Sequence, residues 1–472
     1  MNDKLSQLYL FVIISFLSLS CTSPYRSLLA PRIHQIPKQV LFKDISVFTG
    51  LTTSLNLHQD VLIGDGKILA IGPTGTIKAK GASLISGEGK TLLPGFIDTH
   101  VHVSFSGSAP FEEVSPDPIH NLHAYLYSGI TTIYDLGGRA SDLQSLRKKV
   151  NNGEILGPRI FHTHIPITVP NSHPLPITQK VLPWPLGTLA SLLIPQIHNI
   201  EDVNSVIDGV IEREVDYVKL TADQLPPGTP EMSDIILKAA IERVNKQGLK
   251  AVIHIGGIDK ALVAAKAGAA ALVHHTWRTN ISQQEAEELS KTGVYYMATL
   301  AGWEVTAAMA KGQFNPSKLA REIMPKQVIT SVSNDLGKRI LDVPSVGDMC
   351  RTTVKMEATW HPSIKRLYNA GIRFLIGTDS GVPGVFPGSS FHDELESLSK
   401  AGVPNAELLI AATSRGAKWF NSQANFGTIE VGKVADLVVV EGNPLLDITV
   451  TTKLQYIFLR GHEINRILPD PK

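Results

Sequence analysis

The chain has 472 residues, of which 43% are hydrophobic and 18% charged, and its formal net charge is +1. That is too much chain for one small core and ample apolar material for one large barrel or two domains. A balanced charge without a clustered basic face gives no basis for a nucleic-acid partner, and there is no Walker loop, dinucleotide fingerprint or internal repeat.

At the N-terminus, Leu8 to Leu19 is an apolar run of secretory length, too short to span a bilayer comfortably. It ends at Ser18-Leu19-Ser20-Cys21, small residues directly before a cysteine, which resembles a bacterial lipoprotein signal. Residues 1–20 are therefore expected to be a signal peptide, Cys21 a lipid attachment site and residues 21–38 a tether. The protein is then exported, membrane-anchored through its lipid or periplasmic. An uncleaved anchor or a plain signal peptide is the competing reading. Cys21 and Cys350 are the only cysteines, so lipidation of the first leaves no intramolecular disulfide, and Cys350 reads as an inert thiol.

From Val40 to about Pro94 the pattern is β, with Asp65-Gly66 as a tight hairpin turn between two apolar runs. The C-terminal end is also β, at Ala435 to Val440 and Leu454 to Leu459. These ends predict a small β-sandwich domain assembled from residues 39–93 and 424–472. Between them, in residues 94–423, strands are expected near 95–103, 129–136, 158–164, 216–222, 250–256, 271–277, 294–300 and 372–379. Helical periodicity separates several of them, as at 201–213, 231–247 and 281–291. Eight strands with helical crossovers predict an α/β fold, a TIM (β/α)8 barrel whose active site lies at the C-terminal strand ends. Two long stretches, 165–200 and 301–370, interrupt the rhythm on that face and are expected to shape a pocket or lid. The first could instead meet a membrane or partner through Trp184 and its leucines.

His100 and His102 are the most informative pair. A strand sends residues i and i+2 to one face, so both imidazoles can converge on one point. Lys219, His254, His275 and Asp379 each close a later apolar run. One H-x-H is weak; a set of ligand-type residues at successive strand ends points to a metal centre.

These residues, with Leu93-Pro94-Gly95-Phe96-Ile97-Asp98 before them and Gly427 to Leu437 near the end, resemble the amidohydrolase superfamily of metal-dependent hydrolases. The closest likeness is to its imidazolonepropionase-related, prolidase-like branch with a carbamylated-lysine binuclear site. The resemblance implies a distorted barrel, a β-sandwich and hydrolysis of carbon–nitrogen bonds. It implies a first ion on His100, His102 and Asp379 and a second on His254 and His275. A CO2-derived carbamate on Lys219 and a hydroxide bridge them, and Asp379 moves the proton. Zinc is the default metal, with manganese, iron or cobalt as alternatives. His274 and His275 are adjacent and face opposite ways; the family's pattern favours His275. No glutamate follows His254 closely, which argues against imidazolonepropionase activity itself.

Three further residues are candidates for substrate binding. His173 lies in the loop after the third strand, Arg139 after the second and Tyr296 near the end of the seventh. An exposed histidine and a surface ion pair are the blander readings of the first two, and Tyr296 is the weakest candidate of the three. The expected substrate is a small amide, a dipeptide or N-acyl amino acid. The alternatives are a hydrolase of cyclic amides or lactones, or a binding lipoprotein that kept the fold without turnover.

Overall fold

Alternation of short apolar runs with helical stretches gives the chain its order. In the computed structural model, which describes residues 39–109, 115–181, 185–332 and 346–466, every expected strand is present. The signal segment, Cys21, the tether and Trp184 lie outside the described residues. The N-terminal strands are β1 (Gln39–Val47), β2 (Asn56–Gly64), β3 (Lys67–Pro73), β4 (Ser83–Ser86) and β5 (Lys90–Pro94). The central series is β6 (Phe96–Val101), β7 (Ile130–Asp135), β8 (Arg159–His162) and β9 (Val218–Ala222), then β10 (Ala251–Ile255), β11 (Ala271–Val273), β12 (Tyr295–Met297) and β13 (Arg373–Leu375). β14 (Leu437–Glu441), β15 (Leu454–Leu459) and β16 (His462–Glu463) complete the chain.

Both ends of the chain join one mixed sheet, ordered β16-β15-β14-β5-β1-β2-β3, with β4 pairing β1. The β2–β3 hairpin turns where expected: Asp65 and Gly66 have φ of 50° and 77°, the pair of positive values a type I′ turn requires. The strands form a single continuous sheet, where two facing sheets were expected. It nevertheless folds over its own core. Phe42 of β1 and Phe458 of β15 have ring centroids 5.3 Å apart, although three strand spacings would separate them by about 14 Å in a flat sheet.

The central strands are all parallel and register as two sheets, β6-β7-β8 and β13-β12-β11-β10-β9. One continuous eight-stranded ring was expected. The two sheets part between β8 and β9 and between β6 and β13, where single bridges, Ile167 to Leu220 and Val101 to Ser380, connect their edges. The fold is thus mixed α/β.

Each strand has two apolar faces, as buried parallel strands must. One face carries Phe96, Ile133, Val218, Leu220, Ile253, Leu272, Tyr296 and Phe374 into a core shared with the crossover helices. The other brings Ile97, Tyr134, Val252, Val273, Met297 and Leu375, from six different strands, together with Tyr217 just before β9, into one separate cluster. Each such buried aliphatic side chain favours the fold by roughly 1.5–3 kcal/mol. The crossovers include the helices Asp234–Lys246, Ile258–Lys266 and Gln283–Lys291. The last starts at Ser282, whose side chain and that of Glu285 cap each other's backbone. The long stretch after β12 folds mainly as helix, including Leu300–Ala310 and Val346–Asn369. Among the described residues no helix is long and apolar enough to cross a membrane.

Candidate active site

His100 and His102 reach the inner face through an irregularity in β6. Asp98 pairs with Ile133 but Val101 with Asp135, so β6 carries one extra residue against β7. Such a bulge shifts the alternation by one. Ile97 faces the inner cluster and Val101 the helices; past the bulge it is therefore His100 and His102 that continue the inner face. The end of β13 is laid alongside. Thr99 N donates to Ile376 O at 2.7 Å, Asp379 N to His100 O at 2.8 Å and His102 N to Ser380 O at 2.8 Å. Buried Asp98 accepts from His100 N at 3.2 Å, Thr378 N at 3.2 Å and Thr378 Oγ1 at 2.8 Å. Gly377 allows this approach, because a Cβ there would lie 2.7 Å from the Cβ of His100.

Asp379, at φ 63°, brings Oδ1 to 3.2 Å from His100 Nε2 and 2.9 Å from His102 Nε2. His102 Nδ1 lies 3.2 Å from Gly137 O, a partner that can only accept, which leaves the Nε2 lone pair facing Asp379. Donor atoms of the three residues all lie within 4.8 Å of one another. Around a tetrahedral ion with bonds of about 2.0–2.1 Å, donor atoms sit about 3.3 Å apart. The set fits a divalent metal in both chemistry and spacing.

Three more strands contribute from the other side. Lys219 of β9 places Nζ 3.0 Å from His100 Nε2. His254 of β10 and His274, directly after β11, have ring centroids 4.3 Å apart, and His274 lies 5.1 Å from His100. His274 Nδ1 is 4.0 Å from Asp379 Oδ2 and 2.8 Å from Thr299 Oγ1.

Here the sequence-based choice of His275 is corrected. Ala271 and Val273 face the inner cluster, so plain alternation would turn His275 inward too. His274 instead adopts φ 71°, in the left-handed region, and the extended backbone ends there. The turn swings His274 into the site and sends His275 against Trp360 and Trp303, at centroid distances of 4.7 and 5.9 Å. Both His275 nitrogens are buried without a hydrogen-bond partner.

The electrostatics suit metal ligation. Burial pushes His100 down to about 3, with the Lys219 charge adding to the effect; burial also holds His254 low and His274 well below the ordinary imidazole value. All three rings are neutral donors near pH 7. Burial would raise the Asp379 carboxyl, but His100, His102 and His274 outweigh it and hold the group well below the ordinary carboxylate range. Lys219 is brought down to about 8 by burial, against the pull of Asp379 and Asp135.

The other candidates divide. His173 joins the cluster: its ring lies 4.7 Å from that of His254, and its buried Nδ1 has no partner. Arg139 does not, being an exposed residue whose Nε is 3.8 Å from Asp142. Tyr296 does not either; it lies on the helix-facing side of β12 with its ring 5.9 Å from Phe374. Two contributors escaped the sequence reading. Asp98 supports the ligand loop from behind. Asp223 lies fully buried 3.2 Å from His254 Nε2, and its four-residue offset from Lys219 on one strand direction was the available signal.

The chain is similar to known proteins over most of its length. Residues 91–464 match the amidohydrolase family. The chain is 23% identical over 392 residues to an ochratoxinase of Aspergillus niger, covering 76% of this chain and 72% of that protein. It is 23% identical over 411 residues to an imidazolonepropionase of Thermoanaerobacter pseudethanolicus, covering 81% of this chain and 83% of the other. A crystal structure of a Xaa-Pro dipeptidase with methionine bound in its active site superposes with a TM-score of 0.71 at 20% identity, covering 90% of this chain and 99% of that one. The chain belongs to the amidohydrolase family and is a hydrolase acting on carbon–nitrogen bonds.

Proposed function

We propose that this protein is a binuclear metal-dependent amidohydrolase on a distorted (β/α)8 barrel, cleaving the amide bond of a dipeptide or an N-acyl amino acid. His100, His102 and Asp379 would hold one divalent ion, His254 and His274 the other, with Lys219 bridging as its carbamate. Zinc is the first expectation for a site of imidazoles and oxygens. The observation that carries this reading is the convergence of side chains from β6, β9, β10, the end of β11 and the end of β13 around Asp379.

When bound, the metals acidify a water and polarise the scissile carbonyl. Asp379, ionised and bordered by His100 and His102, is suited to take the proton of the attacking water and deliver it to the departing amine. Buried Lys219 has a proton affinity low enough for a neutral fraction at slightly alkaline pH, and only the neutral amine adds CO2. His173 offers an unpartnered ring nitrogen beside His254 for a polar group of the substrate. Similarity to proteins named a Xaa-Pro dipeptidase and an ochratoxinase supports a small amide as substrate.

Metal analysis of the purified protein, followed by assay on dipeptides, N-acyl amino acids, cyclic amides and lactones, tests the proposal. Two metals per chain with amide turnover that chelation abolishes is the expected result. Turnover of lactones alone would transfer the site to ester chemistry. Bound metal with no turnover would favour a binding protein. Export and lipidation at Cys21 belong to the same proposal; loss of membrane association in Cys21→Ala is the expected outcome.

A further inference from the structure

Asp223 has no place in the ligand set, yet three buried or half-buried side chains donate to it. Its Oδ2 accepts from His254 Nε2 at 3.2 Å and Trp277 Nε1 at 2.9 Å. Its Oδ1 accepts from Arg278 Nε at 2.9 Å, and Arg278 Nη2 forms an ion pair with it at 2.8 Å. The residue is fully buried. Trp277 Nε1 and Arg278 Nε can only donate, so the carboxylate facing them is the acceptor of this cluster. With Oδ2 accepting from His254 as well, Nε2 carries the ring's proton and Nδ1 its lone pair.

The partners come from three consecutive strand ends. Asp223 follows β9, which carries Lys219; His254 ends β10; Trp277 and Arg278 follow His274. Gly256, just past His254, completes the enclosure, since a Cβ there would lie 2.0 Å from Asp223 Oδ1. Arg278 N also donates to Gly256 O at 3.0 Å. A surface ion pair would be served by Arg278 alone and would need neither burial nor an imidazole.

We propose that Asp223 is the positioning residue of the second metal half-site: through Nε2 it fixes the tautomer and angle of His254, and through Trp277 and Arg278 it ties the loop carrying His274 to the same anchor. This rests on the two-metal reading above. A carboxylate behind a ligating imidazole typically contributes 10–100-fold, roughly, to metal affinity. The first half-site, held by Asp98 and backbone bonds, should not sense the change.

The test is chelator-competition titration of the zinc-loaded wild type and of Asp223→Asn, with metal content and thermal unfolding measured on the same samples. In Asp223→Asn the second zinc equivalent should bind about 10–100-fold more weakly and the first unchanged. A purely structural role would lower the melting temperature while leaving both affinities alone, and that result overturns the proposal, as do equal losses at both ions. If Asp223→Asn does not fold, Arg278→Gln removes the guanidinium that holds Oδ1 and should weaken the second equivalent alone; no selective loss there also overturns it. A wild type that binds fewer than two zinc ions defeats the two-metal reading itself, and this inference with it, before any variant is compared.

Discussion

The two halves of the site are built differently. Around His100, His102 and Asp379 the backbone does most of the work: a bulge in β6, a close approach at Gly377 and ladder-like bonds from Thr99, His102 and Asp379 to the neighbouring strand end. Around His254 and His274 side chains do it, with one buried carboxylate gathering three loops. A backbone-held half changes little with a single substitution behind it. A half held by one side chain can be loosened by one atom. On the two-metal proposal, the first ion would be tightly preset and the second adjustable in its binding.

The largest expected effect comes from the residue the halves share. Asp379→Asn would remove the proposed proton carrier and anionic ligand, and turnover should fall by at least about 10²–10⁴-fold in steady-state assays. Retention of near-wild-type turnover would remove Asp379 from the chemistry. His274→Ala and His275→Ala come next and separate two adjacent imidazoles. The first should abolish binding of the second metal ion, read as metal content. The second should keep both ions and lower stability by about 2 kcal/mol in denaturant unfolding, as expected for truncating a side chain packed on two tryptophans. The opposite pattern would restore the alternation-based choice.

A smaller, distributed effect concerns acid. Burial depresses His275 to about 3 and His392 to about 4 from an ordinary 6.5. Below pH 6.5 the unfolded chain binds protons that the folded one refuses, so this stability is fully present above 6.5 and is lost as pH falls towards 3–4. Thermal unfolding of metal-free protein should show a falling midpoint across that window, more shallowly in His275→Ala. A midpoint that rises on acidification would contradict the buried neutral imidazoles. The smallest effect belongs to Arg139→Ala: an exposed pair at 3.8 Å should contribute at most about 1 kcal/mol, with KM and kcat unchanged. A rise in KM would bring Arg139 back as a substrate contact.

Much of this was legible in the sequence. All eight central strands lie within the predicted windows, and Lys219 and His254 were found because β9 and β10 stay extended for five residues each. Asp223 was within reach of the same rule and was passed over because it lies beyond the strand's apolar run. That strands from both terminal regions come together also followed from their β patterns, although they form one sheet where two were expected.

What sequence alone determined is the family pattern, the strand order and the chemical types gathered at the strand ends. Which side chains point inward at those ends was decided only by the tertiary structure. Alternation is reliable while the backbone is extended, and ligands sit where strands stop. The bulge in β6 and the left-handed turn at His274 each shift the facing by one residue. Both depend on packing against neighbouring strands, and a linear pattern of apolar and polar residues carries no record of that.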